Sequence, residues 1–557
     1  MKNNLLKIII ALVLTIFVCK PYYHSGFPYT HDGENHLARF ANYKIALKEL
    51  QIPPRFAPNL MNRYGYPVFN YNYPLANILS LPFSFLKIHY ILTFKILVFL
   101  SVFLGLFYLR KWLELFQFNS SSIIFAQVIF ALNPFLHNLI NYRGNIGEIM
   151  ALNIVVICFY YLEKLLHDRT SFTQQNKLFL TLSLTALLLA HNISVIFAGL
   201  IFIARILTSN FKQFTTVSKN LIMPAITSLL LSLWFWLPAL FEKSEVVLDN
   251  SNFFNDYLKH FPTLSQLLFA PFSFGYSRIG EVDDMSFNIG TTVTAILIVC
   301  CLLFAKLIIN KRIAKINDHS IIFYFICLLL LIILQLEQSS FIWRTLPLLP
   351  YLQFPWRLSL FIPSVAAPLT ALVFSLAQKN LKLLLIVMIL IQTIQIAMIK
   401  PADYLFKTIT DYDAYPQSTS SLNENLPKTF GYLFIGDWQP SATILEGQGK
   451  VLVEKWNGSS RKYNLELDSR STIVEPTMNF LGWETRVTNS DGKTQIAKYT
   501  DGEIIKGRIA YQLAAGNYQI ETNFRQNTPA RVVGNGLFFV GLILLLINFK
   551  KIFINEK

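Results

Sequence analysis

Ile322-Phe323-Tyr324-Phe325-Ile326-Cys327-Leu328-Leu329-Leu330-Leu331-Ile332-Ile333-Leu334 runs without a single charge. A stretch like this has no water-facing side, and it sits most easily in a bilayer. The rest of the 557-residue chain has the same character: 53% of its residues are hydrophobic and only 14% are charged. A soluble chain carries about 25% charged residues. With a mean hydropathy of +0.44, the composition excludes a disordered chain, a soluble enzyme and a coiled coil. It implies a polytopic α-helical membrane protein with a further part attached.

Apolar segments recur near 91–109, 122–137, 149–162, 178–190, 193–208, 221–238, 289–309, 320–336, 358–376, 382–399 and 534–549. Met1–Cys19 adds another, with Lys2 and Lys7 ahead of an apolar run. Bulky Phe17 and Val18 precede Cys19 and make a poor cleavage context, so it reads as an uncleaved first span. That predicts about 12 membrane-spanning helices. Arg110 and Lys111, Lys164 to Lys177, Lys212 and Lys219, Lys311 to Lys315, Lys379 and Lys382, and Lys550 and Lys551 then all fall on one side. Basic residues collect on the cytoplasmic side, which places both termini there. The formal net charge of +16 has the same origin. No basic stripe with interleaved aromatics points to nucleic acid.

Two large extracytoplasmic segments follow, 21–87 and 401–531. In the second, Gly, Asn, Asp and Ser punctuate short alternating runs such as Lys450–Lys455, Tyr463–Leu467 and Tyr518–Phe524, and Asp491-Gly492 signals a hairpin. The organisation expected is a transmembrane domain over 1–400, a β-sandwich-like domain over 401–531, and a final helix with a basic tail over 532–557. Cys19, Cys158, Cys300, Cys301 and Cys327 all lie in apolar runs and read as buried small hydrophobes.

Charged side chains in outer loops rich in aromatics are where a site belongs. The densest cluster is Thr30-His31-Asp32-Gly33-Glu34-Asn35-His36. Asp32 has the position of an N-cap. On the following helix Asp32, His36, Arg39 and Tyr43 fall on one face. A carboxylate there can deprotonate a hydroxyl or hold a divalent cation; the alternative is a capped amphipathic helix with a solvated polar face. Arg143 and Glu148 flank the next outer connection, where a snorkelling arginine is the competing reading. His191 marks a turn between two spans. Trp356 and Arg357 end the proline-stiffened run Leu346–Arg357, which offers either a phosphate-binding guanidinium or an interfacial anchor. Lys95 can snorkel or bind a phosphate. Glu281, Asp283 and Asp284 read as a solvated acidic run, and Trp483 as core.

Taken in order, His31-Asp32-Gly33-Glu34-Asn35-His36-Leu37-Ala38-Arg39, Pro53-Pro54-Arg55-Phe56-Ala57-Pro58, Tyr64–Tyr71, Arg143-Gly144 with Glu148, and Gln353–Arg357 resemble a family of bacterial and archaeal membrane proteins. These are labelled 6-pyruvoyl-tetrahydropterin synthase-related, and are themselves similar to YfhO-like members of the C-type (GT-C) glycosyltransferase superfamily. Phe480–Glu484, Asp491–Lys493 and Leu513–Tyr518 are similar to the outer C-terminal domain of the same proteins. The pterin-synthase label brings a soluble enzyme with a histidine zinc site, which none of these runs reproduces.

The resemblance implies a glycosyltransferase of the bacterial inner membrane. It would take a sugar from a polyprenyl-phosphate donor and pass it to an envelope glycan, lipid or protein acceptor among the membrane lipids. It also implies an essential acid in the first outer loop. By position that is Asp32, with Glu34 and His36 beside it as catalytic candidates. Arg39, Arg143, Glu148, His191, Trp356 and Arg357 are the substrate-binding candidates, and a divalent cation, Mg or Mn, stays open. Two rival readings are a lipid or glycan transporter or flippase, which predicts mid-membrane charges, and a non-catalytic glycan-assembly scaffold.

Overall fold

The computed structural model describes residues 2–167, 172–209, 211–249, 256–270, 275–278, 283–309, 319–420, 422–431 and 438–555. Each apolar segment of the sequence falls on a helix: α1 (Lys2–Val18), α4 (Tyr90–Glu114), α5 (Ser120–Arg143), α6 (Ile146–His167), then Gln174–Ala190, Asn192–Leu207, Phe211–Phe241, Thr291–Ile309, His319–Ile333, Ile362–Leu376, Lys379–Met398 and Pro529–Asn555. Two helices of segment 21–87, α2 (Gly33–Lys48) and α3 (Leu75–Phe85), lie between α1 and α4 in the chain. Lys7 on α1 pairs with Glu114 at the end of α4 at 2.8 Å. Just beyond the other end of α1, Tyr22 packs on Phe94 near the start of α4. The two helices are therefore antiparallel.

The count of full spans differs from the sequence expectation. Among the described residues six helices are long and apolar enough to cross a bilayer: Tyr90–Glu114, Ser120–Arg143, Ile146–His167, Val217–Phe241, Lys379–Met398 and Pro529–Lys550. A pair bent by 98°, Ser320–Ile333 with Glu337–Thr345, makes a seventh if taken as one. The 25 residues of α4 reach about 37 Å at 1.5 Å per residue, enough for a hydrocarbon core of about 30 Å. Asn192–Leu207 has 16 residues, about 24 Å. Its brevity has a local cause: His191 ends one helix and starts the next, its ring nitrogen accepting from Ser194 N at 3.3 Å. The basic run Lys311–Lys315 and Glu281 lie outside the described residues. Cys301 is exposed rather than buried, and the cysteines are free.

The C-terminal segment is β-rich. Strands β1 (Phe27–Pro28) and β2 (Tyr404–Leu405) form a small antiparallel ribbon. The others are β3 (Thr443–Glu446), β4 (Gly449–Trp456), β5 (Ser460–Leu467), β6 (Ser471–Met478), β7 (Trp483–Asn489), β8 (Thr494–Ile496), β9 (Arg508–Leu513) and β10 (Gly516–Phe524). They build a five-stranded sheet, β4-β5-β10-β7-β8, and a three-stranded sheet, β3-β6-β9. Alternation along β5 turns Tyr463, Leu465 and Leu467 inward. They meet Val487 and Ile520 of their own sheet and Ile473, Tyr511 and Leu513 of the other, so the sheets pack as a sandwich. Gly492 at φ +77° makes the β7–β8 hairpin turn. Buried Glu475 accepts from Arg461 (2.6 Å), Tyr463 (2.9 Å) and Thr522 (2.5 Å), so the carboxylate is fully satisfied.

Segment 21–87 is clamped between this sandwich and the helices. Glu49 accepts from Gly458 N (3.1 Å) and Ser459 Oγ (2.7 Å), and Phe56 packs on Trp483 and Phe524. Arg531, at the start of the last helix, pairs with Glu242 at the end of Phe211–Phe241 at 2.8 Å. Trp483 is buried in this core, as its apolar surroundings in the sequence suggest.

Candidate functional site

Asp32 occupies the N-cap position of α2, yet its carboxylate makes no capping hydrogen bond. Thr30 does that work, its Oγ1 accepting from Gly33 N at 3.1 Å. The loop is laid against the end of α5: His31 N donates to Tyr142 O (2.9 Å) and Asp32 N to Arg143 O (2.8 Å). There α5 widens into a π turn, Leu139–Arg143, stopped by Gly144 at φ +65°. A Cβ on Gly144 would lie 2.1 Å from Thr30 Oγ1; only glycine lets the two loops touch.

This contact places Asp32 beside Arg143. With Trp356 and Arg357 they line one cavity of about 300 Å³, which His31, Tyr276, Gln353 and Phe354 also wall. Asn145 fixes the acid, donating to Asp32 Oδ2 at 3.2 Å while its own oxygen accepts from Tyr73 OH (2.8 Å) and Glu148 N (3.0 Å). Trp356 is stacked on Phe354 with ring centroids 5.1 Å apart, and the Arg143 guanidinium sits 4.9 Å from its ring. The Trp356 indole N–H is buried and has no partner among the described residues. Gln353, held at φ +67°, binds Arg357 Nη1 through its side chain at 2.5 Å; such a backbone outlier beside a cavity is a mark of functional sites.

Glu148 lies fully buried behind the arginines. It takes Arg143 bidentately at 2.9 and 3.1 Å, Arg357 Nε at 3.4 Å and His191 Nε2 at 3.8 Å. Its charge is thereby committed to holding two guanidiniums, and it does not line the cavity. His191 sits in the same interior layer. Three further candidates turn elsewhere. Glu34 pairs with Lys407. His36 faces Tyr73 OH at 3.4 Å. Arg39 binds Asn72 (3.1 Å) and Thr419. The acidic run of the 239–288 loop is engaged locally, Asp283 by Gln266 (2.7 Å) and Asp284 by Arg278 (2.5 Å). His31, part of the densest cluster in the sequence, is not among the expected site residues, and neither are Asn145 and Tyr73, which carry no signal of their own in the sequence.

Burial holds the imidazoles of this region neutral. It lowers His31 to about 4, with Arg143 adding to the effect and Asp32 opposing it. It lowers His191 to about 4 against the pull of Glu148, and takes His36 well below its usual range, with Arg39 adding. Unfolded histidines titrate near 6.5, so between about 6.5 and 4 the unfolded chain binds more protons than the native one. Stability therefore falls as pH drops through that window. Thermal melts of the purified protein from pH 7.5 to 4.5 are expected to show this, with a shallower slope in His31→Gln; equal slopes would remove His31 from the account.

The carboxylate, the paired guanidiniums and the aromatic wall can together hold an anion and take a proton from a hydroxyl. Asp32 is the one carboxylate lining the cavity among the described residues, and among those residues no three His, Cys, Asp or Glu side chains converge as metal ligands. Mg²⁺ is usually held by one or two carboxylates together with substrate phosphate oxygens, and Asp32 is the carboxylate this cavity would offer it among the described residues.

Comparison with known proteins adds a family and several likenesses. Residues 69–402 match the family described as "6-pyruvoyl-tetrahydropterin synthase related domain; membrane protein", well over half of the chain. An uncharacterized protein of Lactococcus lactis subsp. cremoris (strain MG1363) is 27% identical over 173 residues, covering 30% of this chain and 28% of that one. Among solved structures, the arabinofuranosyltransferase AftD from Mycobacteria superposes with a TM-score of 0.45 and 16% identity, over 71% of this chain and 26% of that one. The Archaeoglobus fulgidus oligosaccharyltransferase gives 0.38 and 14%, over 74% and 53%. The chain thus spans little more than a quarter of the length of the curated relative and of AftD.

Proposed function

This chain belongs to the 6-pyruvoyl-tetrahydropterin synthase related family of membrane proteins, and from that premise we propose that it is a membrane glycosyltransferase. It would move a sugar from a polyprenyl-phosphate donor to an envelope glycan, lipid or protein on the extracytoplasmic face of a bacterial inner membrane. One observation carries the reading: Asp32 and the guanidiniums of Arg143 and Arg357 line the same cavity. A lipid-phosphate sugar needs a base for the acceptor hydroxyl and positive charge for the departing phosphate, side by side at the membrane edge.

In this mechanism Asp32, oriented by Asn145, takes the acceptor proton as the hydroxyl oxygen bonds to the anomeric carbon. The bond from that carbon to the phosphate oxygen breaks, and the electron pair leaves with the lipid phosphate. Arg143 and Arg357 stabilise that charge, and the Trp356 N–H offers another donor. Glu148 holds the two guanidiniums in place. His31 and His260 line the cavity, so they and not His36 are the imidazoles beside the chemistry. Positive charge for the departing phosphate comes from the two arginines. The segment 401–531 would dock the acceptor.

The test is mass spectrometry of envelope glycans and lipid-linked sugars in wild-type, deletion and Asp32→Asn strains. Both mutants are expected to lose the same envelope sugar and to accumulate its polyprenyl-phosphate form. A change in the deletion strain alone would favour a scaffold or transporter and sink the catalytic reading.

A further inference from the structure

A second cavity, of about 890 Å³, opens beside the β1–β2 ribbon. It lies between the end of α1 and the start of α4 and shares no lining residue with the Asp32 cavity. Its walls are mostly apolar, from Tyr22, Ile91, Leu92 and Leu405, and among the described residues they carry two lysines and no carboxylate. Lys407 is neutralised by Glu34. Lys95 is different: its ammonium donates to the main-chain oxygens of His24 (2.6 Å) and Gly26 (2.8 Å). Ser25 O takes a third, longer contact at 3.5 Å; these neutral dipoles hold the ammonium at the groove wall, and among the described lining residues no carboxylate balances its charge.

Next to the groove α1 and α4 expose apolar Leu12, Val13, Ile16, Leu100 and Leu104. Tyr23, 58% exposed, lines the groove beside Lys95, and exposed aromatics of this kind suit lipid headgroups. We propose that the groove seats an anionic phospholipid, its headgroup phosphate on Lys95 and its acyl chains along α1 and α4. A cation with no lining carboxylate, next to exposed apolar helix surface, matches a lipid that is negative at one end and apolar along the rest. The groove shares no lining residue with the Asp32 cavity. The ribbon that walls it is tightly packed: a Cβ on Gly26 would lie 2.9 Å from the Phe406 ring and 3.0 Å from Leu405 O. Lipid bound here would nevertheless brace the ribbon, since β1 leads directly into Thr30 and Asp32.

The experiment uses the full chain in nanodiscs of phosphatidylcholine with about one-fifth phosphatidylglycerol. Lipids retained after mild delipidation are counted by native mass spectrometry. Wild type is expected to retain phosphatidylglycerol over phosphatidylcholine by roughly five-fold, the worth of one lysine at an anionic surface. Lys95→Gln should bring the ratio to parity and Lys95→Arg restore it. Leu92→Trp, which fills the groove and leaves the lysine alone, should lower retention of both lipids. Parity in wild type, an unchanged preference in Lys95→Gln, or displacement by millimolar inorganic phosphate would each overturn the proposal. A folded Lys95→Gln is established by its melting temperature; should it fail to fold, Leu92→Trp decides, and full retention there refutes the site.

Discussion

Asp32→Asn is expected to lower sugar transfer by roughly two to four orders of magnitude, the usual contribution of a positioned general base, and to leave the fold intact. The side chain is only half-buried, and among the described residues Asn145 is its hydrogen-bond partner; an asparagine can accept the same bond through its amide oxygen. The backbone contacts that seat the loop, His31 N to Tyr142 O and Asp32 N to Arg143 O, do not involve the carboxylate. Turnover by the purified protein, measured beside its melting temperature, checks both halves. The loss should fall on kcat, because the carboxylate acts on a proton in flight rather than on donor binding. Glu34→Gln, by contrast, breaks the pair with Lys407 outside the cavity and should leave turnover within a few-fold of wild type. A Glu34 variant as damaged as Asp32→Asn would return Glu34 to the chemistry and undo the division drawn here.

The second large effect falls on stability. Glu148→Gln keeps the shape of the side chain and removes the charge that Arg143 and Arg357 share. Breaking a buried ion pair by neutralising one partner typically costs about 3–5 kcal/mol, because the surviving charge is left in a medium that cannot solvate it. Here two guanidiniums are stranded. The expected result is a markedly lower melting temperature and reduced yield in detergent, together with loss of transfer. The double variant Glu148→Gln/Arg357→Gln should recover part of the stability and none of the activity. That non-additivity is the signature of groups coupled through one acid. Additive losses would mean that Glu148 acts independently of Arg357, and the account of Glu148 as their common counter-ion would fall.

Much of this molecule is legible in one dimension. The apolar run at 322–334 and its repeats become helices because the backbone of a lipid-exposed segment has to satisfy itself locally. The alternating runs after 440 become strands because a period of two buries one face of a sheet. Asp32, Arg143, Trp356 and Arg357 could be singled out as charged or aromatic groups in outer loops, and tertiary structure brings these four to one cavity.

Partners are another matter, and α2 shows why. Helical spacing puts Asp32, His36 and Arg39 on one face, which suggests a shared destination. The helix is instead buried on nearly every side, so each polar group answers to whatever lies opposite it: Asn145, Tyr73 and Thr419 respectively. Those partners come from elements more than 30 residues away, and periodicity carries no information about them. The same holds for Glu148, whose neighbour in sequence, Arg143, was visible, whereas Arg357 arrives from across the bundle. The length of an apolar run likewise says where a helix forms. Whether it crosses the bilayer alone depends on caps such as His191 and bends such as that after Ile333. Sequence by itself determined the membrane character, the helices, the β-rich C-terminal part and the choice of Asp32 as a candidate; tertiary structure alone decided which charges line the cavity and which hold other charges in place, because in a low-dielectric interior every ionised group is fixed by its nearest counter-charge.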